Sequence, residues 1–137
     1  MRLFRMIDKW MLLHWPRYRL RRICKAIGIK PYWWQREFAL GTFDYIPPEI
    51  GEYRGVGNTT AVMLRILMIP ENNVAAWAEA GRILQCDPDW QQDCIRWYSG
   101  EYRRLKNRCL AAGIPVLQVE IYRMIRSFND EERRAHV

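Results

Sequence analysis

Gly55-Val56-Gly57-Asn58-Thr59-Thr60 is the stretch of this chain whose residue types and spacing can do the most chemistry. Its two glycines free the backbone to curl successive N–H groups around an anion. Two threonine hydroxyls follow, and Ala61 to Arg65 are helix-forming, so the loop opens into a helix whose N-terminus favours negative charge. Arg54, just upstream, can lend a cation. Asn58 stands where a triphosphate-binding loop carries lysine, and Glu52 where such a loop carries its first glycine. The segment reads as a phosphate cradle without its point charge, with Arg54, Gly55, Gly57, Asn58, Thr59 and Thr60 as its candidate residues.

A second chemistry lies near the N-terminus. The formal charge is +7, and it is unevenly spread: residues 1–36 hold ten Lys/Arg and a single acid, Asp8. Most of the chain's cations are arginine, the better donor to phosphate oxygens. Arg17, Arg19, Arg21, Arg22 and Lys25, interleaved with Tyr18, suit contacts to a nucleic-acid backbone. No catalytic trio is visible. Ser99 and Ser127 lack a nucleophile setting, and His14 sits among apolar neighbours as a core or edge residue. Cys24, Cys86, Cys94 and Cys109 form no Cys-x-x-Cys pair and read as buried reduced thiols; no metal site is expected. Most of the seven tryptophans read as core or interface packing, with Trp33 and Trp34 able to stack bases.

The elements that must position these groups follow from apolar spacing. Leu3, Met6, Ile7, Trp10, Leu13 and His14 predict a helix over 2–14. Pro16 opens a second helix with Leu20, Ile23, Cys24 and Ile27 as its stripe, and Gly28 stops it. Residues 32–38 predict a short helix ending near Gly41, and 42–46 favour a strand. Residues 59–68 predict a helix, and 74–80 are helix-prone. Residues 82–86 and 114–122 read as strands, with a helix over 99–112 capped by Gly113 between them. Asp87-Pro88-Asp89 reads as a turn, and the tail from Ser127 as polar. The order helix, strand, helix, strand after Gly57 implies parallel βαβ units.

Gln35, preceded by Pro31-Tyr32-Trp33-Trp34, lies 23 residues before Asn58. With the loop, this resembles the N-terminal part of P-loop ATPases in the style of phage terminase large subunits and superfamily 2 helicases, over residues 29–122. The resemblance implies that Gln35 hydrogen-bonds an adenine edge, that Gly57, Asn58 and Thr59 cradle phosphate, and that ATP–Mg is the cofactor, with Thr59 and Asp87 at the metal. The chain departs from that pattern in having no Asp-Glu after an apolar run; Asp87 and Glu120 are the nearest substitutes. Little or no hydrolysis is therefore expected.

The expected fold is α/β: a small, incomplete P-loop-like three-layer core, a short parallel sheet flanked by helices. Its organisation is a single domain over 1–137, with a basic helical arm at 1–29, the core at 30–122 and a polar tail at 123–137. The expected function is a phage- or mobile-element-type protein that binds nucleic acid or nucleotide. The alternative is a protein-interaction module on the same scaffold, such as an anti-CRISPR-like inhibitor of a host defence nuclease or an accessory subunit of a larger ATPase. The partner is then nucleic acid or an acidic, nucleic-acid-processing protein. No apolar run approaches the roughly 18 residues that span a bilayer, and charges break up residues 1–15, so a cytoplasmic protein without a membrane partner is expected.

Overall fold

Apolar residues recur at three- and four-residue intervals through most of the chain, and helices follow from that spacing. The computed structural model describes residues 2–46 and 57–136. It contains α1 (Arg2–His14), α2 (Pro16–Ile27), α3 (Trp33–Ala39), α4 (Asn58–Leu67), α5 (Val74–Leu84), α6 (Ile95–Ala111) and α7 (Ile121–Ala135). A 3-10 turn at Gln92–Cys94 leads into α6. No β-strand occurs among the described residues, so the expected α/β core with a parallel sheet is corrected to an all-helical fold.

Each expected strand is replaced by a different arrangement. Residues 82–84 are the last turn of α5, because Ala76, Ala80, Ile83 and Leu84 form one buried stripe that runs through Gly81. The glycine is not a break. It lets α5 lie against α7, where a Cβ at Gly81 would stand 2.3 Å from the Met124 carbonyl oxygen and 2.7 Å from the Phe128 Cβ. This pairing is the most extensive between any two helices.

Residues 114–120 form neither helix nor strand. Ile114, Val116 and Leu117 are buried all the same. Side chains replace a ladder: Tyr102 Oη donates to the Leu117 carbonyl at 2.6 Å, and Arg19 donates to that of Pro115. Residues 42–46 are held similarly, with Arg65 Nη1 donating to the Phe43 carbonyl at 3.0 Å and Nη2 to the Asp44 carboxylate at 2.6 Å. The polar tail proves to be the second half of α7, whose Met124, Ile125 and Ser127 are buried.

The other ends follow local chemistry. Pro16 occupies the first turn of α2, and Gly28 closes it with its N–H on the Cys24 carbonyl. Asn73 caps α5 by accepting from the Ala76 N–H at 2.8 Å. The core joins Leu12 of α1 and Leu20, Ile23 and Ile27 of α2 to Phe38, Leu64, Leu67, Leu84, Tyr102 and Met124. Cys24 and Cys109 are buried free thiols, each pushed up to about 11 by burial, so they stay protonated at neutral pH.

Arg19 is the polar centre of this core, only 2% exposed. Its Nη2 donates to the carbonyls of Leu67, at 2.7 Å, and Pro115. Longer contacts of 3.5 Å reach Ile69 and Leu12. One guanidinium thereby gathers α1, the C-terminal end of α4 and the α6–α7 connection onto α2. Burial lowers its pKa to about 10, so the cation persists at neutral pH.

Two stability measurements follow. Arg19→Ala leaves the Leu67 and Pro115 carbonyls without their donor, and urea unfolding should show a loss of about 3 kcal/mol, with Arg19→Lys recovering only part of it. Gly81→Ala gains helix propensity but collides with the α7 backbone, so a net loss of about 1–3 kcal/mol is expected in the same assay.

Candidate functional site

Two places gather the residues singled out in the sequence. The first is the start of α4. Gly57 takes a left-handed conformation (φ 92°) and its carbonyl accepts from the Ala61 N–H, which opens the helix at Asn58. Gln35 is buried against it. Its Oε1 accepts from the Tyr32 N–H at 2.8 Å, and its Nε2 donates to the Gly57 carbonyl at 3.0 Å. A Cβ at position 57 would stand 2.2 Å from that nitrogen. Gln35 thus straps the first turn of α3 to the start of α4, and both ends of its amide are engaged within the protein.

Thr59 and Asp87, the pair implied for a metal, do come together. The Thr59 hydroxyl donates to Asp87 Oδ2 at 2.9 Å, and Tyr98 Oη donates to the same oxygen at 2.7 Å. The Asp89 N–H donates to Oδ1 at 2.9 Å, which makes the turn expected around Pro88. The carboxylate is buried, at 3% exposure. Burial and the neighbouring carboxylate push the Tyr98 phenol up, so it remains a donor. Asn58 is also buried, and neither atom of its amide has a hydrogen-bond partner. Thr60 is half-buried beside a cleft of about 290 Å³ lined by Ile29, Met63, Trp97 and Arg104. Arg54 and Gly55 lie outside the described residues.

This arrangement does not suit ATP–Mg. The amide offered to adenine holds the backbone, and position 58 has no cation. Asp87 already supplies the negative charge that a helix start attracts, and it would oppose a phosphate there. No group of three or more metal-binding side chains forms among the described residues.

The second place is the elbow between α1 and α2. The five basic residues assigned to nucleic acid separate by burial. Arg19 is in the core. Arg22 bonds Asp8, lies 3.2 Å from the Tyr18 hydroxyl and donates to the Ala112 carbonyl at 3.0 Å. Arg17, Arg21 and Lys25 remain exposed, four residues apart along one face of α2. Arg17 and Arg21 border an open groove of about 630 Å³ lined also by His14, Trp15, Tyr18 and Leu40. Trp15 is half-exposed and meets Trp10 edge to face, with ring centroids 5.9 Å apart. His14 lies 4.8 Å from Trp10 by ring centroids and is exposed, not a core residue.

Sequence spacing did not single out Trp15 or Tyr18 as groove walls. The available signal was the break between Leu13 and Pro16, which ends one helix and starts another within two residues. Among the tryptophans, Trp34 is buried, Trp77 and Trp90 are partly so, and Trp10, Trp15, Trp33 and Trp97 are largely exposed.

Comparison with protein-family models, with curated proteins and with solved structures finds no match to this chain. With no family match and no strand among the described residues, the resemblance to P-loop ATPases is withdrawn. Gly57 and Thr59 serve a helix start braced by Gln35 and Asp87, with no sheet behind it. No helix of the described residues is long and apolar enough to cross a membrane.

Asp87→Ala should destabilise the fold by about 2–3 kcal/mol in urea titration, because it leaves the Thr59 and Tyr98 hydroxyls unpartnered. Asp87→Asn should cost less, since its carbonyl still accepts.

Proposed function

We propose that this protein is a non-enzymatic nucleic-acid-binding module that works through the α1–α2 elbow. The observation that carries the reading is the stripe of Arg17, Arg21 and Lys25, unpaired among the described residues, with the first two on the rim of an aromatic groove. Cations spaced along one helix face track a phosphate backbone. The groove between Trp15 and Tyr18 offers ring faces on which an unstacked base can lie, a mode that suits a single strand. The groove is concave, partly apolar and flanked by charge, as a site for a flat polar ligand should be.

Division of labour among the arginines supports the same reading. Arg19 and Arg22 are held by the protein, and their engagement fixes α2 against the body. The remaining cations are therefore presented from a rigid helix, which lowers the ordering cost of binding. Tyr32, just before α3, and Trp33 and Arg36 on it follow, all of them exposed, giving a longer strand further surfaces to meet.

Fluorescence anisotropy with a labelled single-stranded oligonucleotide tests this. Affinity should fall steeply with salt, and Arg17→Ala with Arg21→Ala should flatten the log–log salt slope by about 1.4 for two lost phosphate contacts. Trp15→Ala should weaken binding by about 1–3 kcal/mol with little change in that slope. If the double arginine variant binds as tightly as the parent at every salt concentration, the reading fails.

A further inference from the structure

Helix α1 is mounted with its apolar side outward. Leu12 is its single buried residue, and Asp8, one turn earlier on the same face, turns inward to Tyr18 and Arg22. On the outward arc Leu3 is 68% exposed, Met6 68%, Ile7 49% and Trp10 51%, with Phe4 and Leu13 also uncovered. Burial of apolar area is the main driving force of folding, so a ridge of this size left in water calls for an occupant. The proposed nucleic-acid strand does not supply one, because its phosphates and bases are assigned to the α2 cations and to the Trp15–Tyr18 groove, which leaves Leu3, Phe4, Met6 and Ile7 uncovered.

The charge around the ridge narrows the choice. Arg2, Arg5 and Lys9 flank it and are exposed, and Arg17 and Arg21 continue beyond the elbow. Asp8 is the only acid in residues 1–36, and it is engaged with Arg22, so within this segment no free carboxylate offsets these cations. A second copy meeting this one through α1 would bring two such clusters together, and like charges would oppose it. The ridge is also convex and wide. A fluid surface conforms to such a shape without a preformed groove, and a negative one draws the flanking cations.

We propose that α1 lies in the interface of an anionic lipid bilayer, with Leu3, Ile7 and Trp10 inserted among the acyl chains and Arg2, Arg5 and Lys9 at the headgroups. The combination fits an interfacial helix: strong segregation of apolar and polar sides, little net hydrophobicity, aromatic residues on one side and cations on the other. Such a helix needs no spanning run, so the short apolar stretches of this sequence do not oppose it. The lack of a spanning helix among the described residues is compatible with a helix that lies in the interface.

Co-sedimentation of the full chain with vesicles tests the proposal. Mixed phosphatidylcholine–phosphatidylglycerol vesicles should take up the protein, and pure phosphatidylcholine vesicles should do so at least about tenfold less well. Leu3→Ser with Ile7→Ser should reduce partitioning to the mixed vesicles by about tenfold or more, leaving oligonucleotide affinity unchanged. Phe4→Ser with Met6→Ser, at other exposed positions, should repeat the loss, and an unaltered thermal transition establishes that the variants fold. The proposal is overturned if the parent does not sediment with mixed vesicles. It is overturned equally if both double variants bind as the parent does, since the cations alone would then account for binding. A dimer in analytical ultracentrifugation that Leu3→Ser with Ile7→Ser abolishes, without vesicle uptake by the parent, would make a second copy the occupant instead.

Discussion

A charged side chain in the middle of an apolar core constrains everything packed around it. Arg19 is that side chain here, and among the described residues no carboxylate pairs with it. Its partners are the main-chain carbonyls of Leu67 and Pro115, with Ile69 and Leu12 further off. A guanidinium suits this role because its fork of donors reaches several acceptors at once and its charge is not readily lost. A helix C-terminus suits the other side, since its last carbonyls have no partner within the helix and carry partial negative charge. The arrangement stands in for a strand beside residues 114–120, whose Pro115 and Leu117 carbonyls find donors on α2 and α6. It also fixes α2, and with it whatever α2 presents outward.

The polar residues of this protein divide by direction. Gln35, Thr59, Asp87 and Tyr98 face inward and brace the start of α4. Buried carboxylates and amides need full sets of partners, and the first three have theirs within the chain. Around the α1–α2 elbow, by contrast, cations and aromatic rings face solvent together. Function is more readily built from groups the fold has left free than from groups that hold it together. That distinction is why we propose the elbow, rather than the glycine-rich loop, as the site.

Helix positions were readable where local chemistry decides them. The Pro16 start, the Gly28 stop and the apolar stripe of α2 needed no knowledge of the rest of the chain. The same holds for α1, α3 and the body of α4, whose spacing and end residues agree. Reading failed at residues 82–86, where a strand was expected although α5 continues through Gly81, a position where α7 lies too close for any side chain. It failed again at residues 114–120, where β-favouring residues meet no strand. At the loop before α4, glycine, glutamine and threonine at those spacings suit a tight helix entry as well as a phosphate cradle. In each case the deciding partner lies far away in the chain: Met124 for Gly81, Arg19 for Pro115, Asp87 for Thr59.

By itself the sequence determined the basic N-terminal third, the amphipathic character of α1 and α2, and the places where those helices begin and end, because these depend on composition and on neighbours within a turn. Only the tertiary structure decided the absence of a sheet among the described residues, the burial of Arg19 and the outward mounting of α1. A helical stripe states which residues share a face but not which way that face points. Direction is set by what the other side of the helix finds to pack against, and for α1 that was Leu12 and Asp8 rather than the broad arc from Leu3 to Leu13.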